Sequence, residues 1–596
     1  MDFSRSIVIL DFGGQYAHLI ASRIRRFGYK AYILPTDTKA HTLKNVAGII
    51  LSGGPQSVYE KGSPQADPDI FNLGVPVLGL CYGHQWVAHA LGGKVTPAKV
   101  KEYGLTKMNN EKCTMKNDLF HGLPRDFNVW MSHGDEVSEL PPGFVTTART
   151  KDCAHAAMMH AEKNIFGIQF HIEVTHTEHG MDLLRRFVDL CAPESWNMES
   201  YSAHIGEEIL KEVGDKKVFM LVSGGVDSTV AFTLLNKVLG ADRVQGLLVD
   251  TGLMRKNEVA MILNAFKPLE INNLHVEDAS EEFFKNLKGV YDPEEKRRII
   301  GNTFLDVQKR VSERMGLRIE DGWMLGQGTI YPDTIETGGT KHADKIKTHH
   351  NRVPMIQEMM ERGLVIEPLK ELYKDEVREL GEELGLPHDL VWRHPFPGPG
   401  LGVRILCGKT EWKVESAEVR KYESMILPVQ SVGVQGDGRT YRHALAVFSK
   451  KPTDIPELHW SLATSIPNSD KTLNRVLQCL SHAEPFATFF VPTYLTSNVA
   501  DLLRDADAIV DEEVRKADLY KAIWQFPVVL LPFGAEKNTY SIVLRPIEST
   551  DAMTARAYPL PQKVLEAITK RILSVEGISA VFLDLTNKPP GTIEWE

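Results

Sequence analysis

No uninterrupted apolar run in these 596 residues approaches the roughly 18 residues needed to cross a bilayer. The longest candidates are short strand-like stretches such as Val528–Leu531, so a membrane role is not expected. Cysteine is also scarce. The six residues Cys81, Cys113, Cys153, Cys191, Cys407 and Cys479 form no Cys-x-x-Cys or Cys/His cluster, which argues against a disulfide framework or a zinc site. Excess positive charge is missing too: the net charge is -10. Bulk attraction to nucleic acid or anionic lipid is therefore not expected, and an anionic substrate must be held by local groups in a pocket. The opening Met1-Asp2-Phe3-Ser4-Arg5 lacks the apolar core and cleavage site of a signal peptide, and a cytosolic location is expected. The chain also lacks internal repeats and low-complexity tracts.

What is present is the balance of a soluble globular protein, 43% hydrophobic and 24% charged, over a length too great for one hydrophobic core. Ile7–Leu10, Gly48–Leu51, Val75–Leu80 and Ile165–Phe170 read as buried strands alternating with turns and helices, predicting an α/β domain over residues 1–198. A polar stretch, Ala192-Pro193-Glu194-Ser195-Trp196-Asn197, separates it from a second strand–loop–helix series that begins at Lys217 and occupies residues 199–406. From 407 to 596 the pattern shifts to an α+β order with proline-bounded runs such as Pro527–Pro532.

Gly79-Leu80-Cys81-Tyr82-Gly83-His84-Gln85 follows an apolar strand and precedes a helix-like run. Flanking glycines permit the tight strand-to-helix turn that exposes a nucleophile, and the helix N-terminus favours negative charge on the sulfur. In Gln169-Phe170-His171-Ile172-Glu173, His171 and Glu173 share one face of an expected strand end, so the carboxylate can orient an imidazole that serves Cys81. Ser52-Gly53-Gly54-Pro55 is a glycine turn that can aim the Gly54 N–H at an oxyanion, with the Tyr82 N–H as second donor. These three motifs resemble the class I, triad-type glutamine amidotransferases. The resemblance implies a flavodoxin-like domain in which Cys81 attacks the glutamine amide, His171 is acid and then base, and a glutamyl thioester links the two halves. That family usually has proline between the histidine and the glutamate; here Ile172 stands there.

Val218–Val222 is a buried-strand run that empties into Ser223-Gly224-Gly225-Val226-Asp227-Ser228, followed by a helix. Small residues, two hydroxyls and a helix N-terminus make a cradle for phosphate oxygens. It is not a Walker A loop, because Gly-x-x-x-x-Gly-Lys-Ser/Thr is absent. The string resembles the loop of the N-type ATP pyrophosphatases, which implies a doubly wound α/β domain that grips ATP phosphates through residues 223–228. It also implies that adenine lies near Val249 on the next strand, and that magnesium on pyrophosphate is held by Asp227 and Asp333. The basic, glycine-containing stretch 336–351 is expected to be a lid over the phosphates, with Lys347 the residue reaching them.

Further strings are Arg393-His394-Pro395-Phe396-Pro397-Gly398-Pro399-Gly400 near the end of the second segment and, in the third, Gln435-Gly436-Asp437-Gly438 and a tail ending Lys588-Pro589-Pro590-Gly591-Thr592-Ile593-Glu594-Trp595-Glu596. Together with the first two constellations these resemble the GMP synthetase family over nearly the whole chain. That resemblance implies glutamine, ATP and XMP as substrates, Mg2+ with the ATP, and a homodimer formed through the C-terminal domain. It places XMP near Arg297, Asp437, Gln525, Lys588 and Glu594. Lys588 and Arg297 suit phosphate; Asp437, Gln525 and Glu594 suit ribose or base. A tail of this composition is expected to fray unless something such as a substrate contact orders it. Two rivals stay open at this level: another glutamine-dependent adenylating amidotransferase, and a catalytically silent nucleotide-binding protein.

Overall fold

Continuous apolar strings such as Ile7-Val8-Ile9-Leu10 and Gly48-Ile49-Ile50-Leu51 leave no polar face for water, and each forms a strand buried on both sides. The computed structural model of the chain describes residues 3–596 except 15, 111–117, 175, 318–320, 332, 334–360, 411–422, 436–437, 471, 550–554 and 589. In the first sheet, nine strands lie in the spatial order Ala31–Pro35, Ile7–Asp11, Gly48–Leu51, Val77–Leu80, Ile165–Ile168, Ala157–His160, Phe144–Arg149, Lys94–Asn110 and Asp126–Glu139. The first five run parallel in the order of a flavodoxin-like sheet. The remaining four extend it antiparallel, and Asp126–Glu139 alternates between buried and wetter positions, as a strand with one solvated face must.

The second sheet is parallel throughout, in the order Leu274–Asp278, Val244–Asp250, Lys217–Leu221, Trp323–Gly326 and Val365–Ile366. Its chain order of 3-2-1-4-5 is that of a doubly wound α/β domain. The third is mixed, running Ser424–Gln435, Gly438–Val447, Leu473–Cys479, Ile578–Asp584, Tyr540–Leu544 and Val528–Leu531. With the helices Glu457–Ser469, Ser497–Lys516 and Gln562–Ile572 it is the expected α+β region.

The chain divides into two compact units. One comprises Met1–Glu208, Thr329–His349 and Leu369–Leu380; the other comprises Ile209–Gly328, His350–Pro368 and Gly381–Glu596. Within the first, helix Ala17–Arg26 anchors the 369–380 segment: the Arg25 guanidinium donates to Glu371 O at 2.8 Å and lies 3.4 Å from the Glu376 carboxylate, and Arg26 pairs with Asp375. Within the second, Phe219, Leu247, Ile300, Ile405, Val476 and Leu530 belong to one continuous core, so residues on both sides of position 406 pack together. The sequence-based strand ends shift by a residue or two. The largest shift follows Ile168, where the strand stops before His171, which keeps only a single bridge to Trp130.

Candidate active sites

The turn from Leu80 into helix Tyr82–Ala90 places Cys81 at φ 51° and ψ −105°, a region that non-glycine residues occupy only when their surroundings force it. Close packing does the forcing. A Cβ on Gly79 would meet Gly83 O at 2.4 Å, and one on Gly83 would meet Leu51 O at 2.3 Å, so neither position admits a larger residue without moving the backbone. The Cys81 N–H donates to Ile168 O at 2.8 Å, tying the elbow to the neighbouring strand. Its thiol lies 3.5 Å from Ser132 O and receives the Gln169 side-chain amide at 3.7 Å. On one side, the same sulfur lies close enough to the His171 ring to act on its charge. On the other, its Nδ1 is 2.7 Å from Glu173 Oε1.

Both members of that pair are buried. Burial works to lower the His171 pKa, but the Glu173 charge, the ring's hydrogen bond to that carboxylate and the nearby Cys81 sulfur together outweigh it and hold the imidazole well above its ordinary value. Ile172 points away, into the core beside Phe170, Leu183 and Phe187, so an isoleucine there leaves the pair's geometry alone. Gly53 sits against the reacting groups: a Cβ on it would lie 3.6 Å from His171 Cε1 and 3.7 Å from Cys81 Cβ. A Cβ on Gly54 would meet Phe12 O at 2.8 Å, so its peptide needs the missing side chain. The Tyr82 N–H is the first of its helix, among the four that have no intrahelical acceptor.

Three further residues shape this site. Gln169 contacts Cys81, Gln85 donates to Gln169 Oε1 at 3.1 Å and to Asp135 O at 2.9 Å, and Tyr16 meets the His171 ring edge-on with centroids 5.0 Å apart. Gln169 stands two residues before His171 and was within reach of the same alternation that paired His171 with Glu173. Nearby, His133 lies between Asp135 O at 2.9 Å and Glu102 Oε2 at 3.1 Å, with Cys153 beside them. Both imidazole nitrogens are engaged, and Thr150 donates to Glu102, so this buried group reads as a hydrogen-bonded network.

In the second unit, the phosphate-loop residues wind around their own hydroxyls. Ser223 N–H donates to Ser228 Oγ at 3.2 Å, Gly225 N–H to Ser223 Oγ at 3.3 Å, and Ser228 Oγ to Gly225 O at 3.1 Å. Helix Val226–Leu239 starts within this string, with Gly225 as its N-cap residue and no side chain capping it, and its first N–H groups have no intrahelical acceptor. Ser223 and Gly225 are exposed, Asp227 is half-buried and Val226 is buried. Gly224 takes φ +81°, and a Cβ on it would strike Ile262 at 2.9 Å. Gly328, which the sequence reading did not single out, backs the loop: a Cβ there would lie 2.9 Å from Ser228 N. A cavity of about 780 Å³ adjoins, lined by Asp250, Gly252, Met254, Glu258, Ser280 and Arg504 among others. The Val249 side chain is turned into the core. Asp227 offers a carboxylate oxygen in the first turn of the helix, the hard donor type that magnesium takes. Asp333, in the other unit, accepts the Ile330 N–H at 3.1 Å. Lys347 and Asp437 lie outside the described residues.

The remaining XMP candidates are also in the second unit. Glu594 is gripped by the Arg404 fork at 2.9 and 3.1 Å and receives the Gln525 amide at 3.0 Å. Arg297 pairs with Glu294 at 2.8 Å, and Lys588 bridges to Ala555 through its backbone. The tail does not fray, and its order has a source within the protein. Arg475 donates to Thr592 O and Glu594 O, Arg545 to Ile593 O, and Trp595 is fully buried with its indole N–H on Asp584 at 3.1 Å.

Comparison with known proteins follows these regions along the chain. Family models match for glutamine amidotransferase class-I over residues 8–191, NAD synthase over 198–306 and the GMP synthase C terminal domain over 512–595. A probable glutamine-hydrolyzing GMP synthase of Leptospira interrogans is 48% identical over 610 residues, covering 100% of both chains. The chain belongs to the family of glutamine-hydrolysing GMP synthases. The family's members from Lactobacillus acidophilus, 40% identical over 100% of this chain and 99% of theirs, and Carboxydothermus hydrogenoformans, 39% identical over 99% of each, show the same full-length match. These are ligases with glutamine as the amide donor.

Proposed function

We propose that this chain makes GMP from XMP, ATP, glutamine and water, releasing AMP, pyrophosphate and glutamate, with residues 1–198, 199–406 and 407–596 acting as glutaminase, ATP pyrophosphatase and XMP-binding domains. The observation that carries the first half is the strained Cys81 elbow with His171 and Glu173 aligned behind it. The Cys81 sulfur attacks the glutamine amide carbon, and the oxyanion is received by the Gly54 and Tyr82 N–H groups. The His171 imidazolium protonates the departing ammonia, leaving a glutamyl thioester; the neutral ring then takes a proton from the water that hydrolyses it to glutamate. Glu173 keeps the ring in the tautomer that presents Nε2 to sulfur.

In the second half, residues 223–228 hold the ATP phosphates while the XMP O2 attacks the α-phosphorus and pyrophosphate leaves. Adenylation turns a poor oxygen leaving group into AMP, which ammonia then displaces from C2. Asp227 would hold Mg2+, which would supply charge neutralisation on the pyrophosphate when bound. The adenine lies beside Val249. Arg297 and Lys588 serve the XMP phosphate; Asp437, Gln525 and Glu594 serve ribose and base. Ammonium has no lone pair, so the nitrogen travels unprotonated and sheltered from water. The protein works in the cytosol as a homodimer built on residues 407–596.

The competing acceptor chemistry is tested directly. With ammonium chloride as nitrogen source, AMP release is measured with XMP and with the deamido dinucleotide precursor of NAD as alternative acceptors. Release with XMP alone is expected; release with the dinucleotide alone contradicts the assignment, and none with either favours a silent binding protein.

A further inference from the structure

Lys296 is a fully buried lysine whose ammonium has a complete set of partners: Gly402 O at 3.1 Å, Ile405 O at 2.8 Å, the side-chain carboxylate of Glu596, and Cys407 Sγ at 3.6 Å. Glu596 is also buried. Such a pair contributes little net stability, because two desolvated charges recover about what they lose, and a well-packed apolar pair of the same volume does as well or better. Removing one partner is what costs. An interaction of this kind is informative about geometry: it fixes where two segments 300 residues apart must meet.

Both segments carry residues of the XMP site. Lys296 immediately precedes Arg297 on helix Pro293–Arg314, and Arg297 is close enough for its charge to act on the Glu596 carboxylate. Glu596 stands two residues beyond Glu594, just past a bend at residues 593–594, and the two carboxylates are held separately, one by Lys296 and the other by Arg404 and Gln525. Trp595 between them is buried, with its indole N–H on Asp584 and its ring under the Arg475 guanidinium at 4.8 Å. The tail is thereby stapled through alternate residues to the helix bearing Arg297 and to the 400–407 turn.

We propose that Lys296 and Glu596 are a positioning pair for the nucleotide monophosphate, holding Arg297 at a set distance from Gln525 and Glu594. The proposal rests on the XMP-site reading given above. The pair touches no substrate and takes no part in the chemistry; its effect is on how well XMP is bound.

The test is ammonia-driven GMP synthesis by Glu596→Gln and by the double variant Lys296→Met/Glu596→Met, with XMP and ATP varied separately and thermal melts run alongside. The expected result is a rise of about tenfold in KM for XMP in both variants, with KM for ATP and kcat held within about twofold. The double variant keeps the site filled with apolar volume, so it is expected to melt close to wild type even if Glu596→Gln is poorly folded. A wild-type KM for XMP in a normally melting double variant overturns the proposal, and so does an equal rise in both KM values. Arg297→Ala and Gln525→Ala are measured in parallel. Should they also leave KM for XMP unchanged, the XMP-site reading has failed; should they raise it while the pair variants do not, only the positioning inference falls.

Discussion

The proposed glutaminase site and the proposed XMP region are built by opposite means. Around Cys81 the functional groups come from short contiguous strings, and the geometry is stored in backbone strain: a non-glycine residue at φ 51° between glycines that a Cβ would push apart. Among the described residues of the XMP region nothing comparable is strained. Its side chains are held by buried charge, with Asp584 between Arg475 and Arg545 at 2.7 Å each, the Arg404 fork on Glu594, and Lys296 on Glu596. A nucleophile has to be presented at one point, which a turn can do; a nucleotide has to be met from several directions, which requires distant segments locked to one another.

The largest expected effect separates the two regions by chemistry. Glu173→Gln is expected to cut glutamine-dependent turnover about ten-thousandfold, as when a triad carboxylate loses its charge, and to leave ammonia-dependent synthesis intact. It also tests the cause of the raised His171 pKa. In the wild type the ring stays protonated above its ordinary 6.5; without the carboxylate its titration, followed by NMR, moves down. An unchanged titration would mean Glu173 is not what holds it up.

Next comes the charge lock. Asp584→Asn leaves two buried guanidiniums without their carboxylate and is expected to destabilise the second unit by about 3–5 kcal/mol in a denaturant melt. Burial would raise the Asp584 pKa, but Arg545 and Arg475 overcome it and hold it below its usual value. Burial and the neighbouring Arg545 in turn pull Arg475 down to about 9, because two guanidiniums share one carboxylate. A depressed carboxylate contributes stability that is present above its unfolded pKa and is lost as pH falls through the folded one. The variant's stability in denaturant melts is therefore expected to fall less steeply with pH across the acid range than the wild type's, and an identical slope would contradict the lock.

Gly83→Ala sharpens the contrast from the other side. It drives a Cβ into Leu51 O at 2.3 Å and is expected to cost about 1–3 kcal/mol, seen as a melt shift confined to the glutaminase transition. The smallest effect is the most diagnostic. Cys81→Gly relieves a strained φ of about 1–3 kcal/mol while giving up a buried side chain, so its melting temperature is expected to equal or slightly exceed that of wild type despite complete loss of glutaminase activity. A clear drop would mean that the elbow is not strained.

The same contrast governs what could be read in advance. Cys81, His171 and Glu173 were legible because a two-residue spacing and a glycine-flanked turn are local, although the strand invoked for the pair stops at Ile168, and the phosphate loop was legible because it too is local. Gln169 was legible in principle. The order of the tail was not: it depends on Lys296 meeting Glu596 and Arg404 meeting Glu594, 300 and 190 residues apart, and no local pattern carries such a pairing. Gly328 was missed likewise, since only the packed loop reveals that Ser228 lies 2.9 Å from its absent Cβ. Continuous packing across position 406 escaped notice because composition shifts there while the core does not.

The central claim is that one chain holds two separable chemistries joined by ammonia. It is tested most directly by measuring GMP formation from XMP and ATP by wild type and Cys81→Ala, each with glutamine or ammonium chloride. The account predicts that the variant loses glutamine-dependent synthesis alone and keeps the ammonium-driven rate. Loss of both rates in a folded variant, or no GMP from wild type with either nitrogen source, would contradict it.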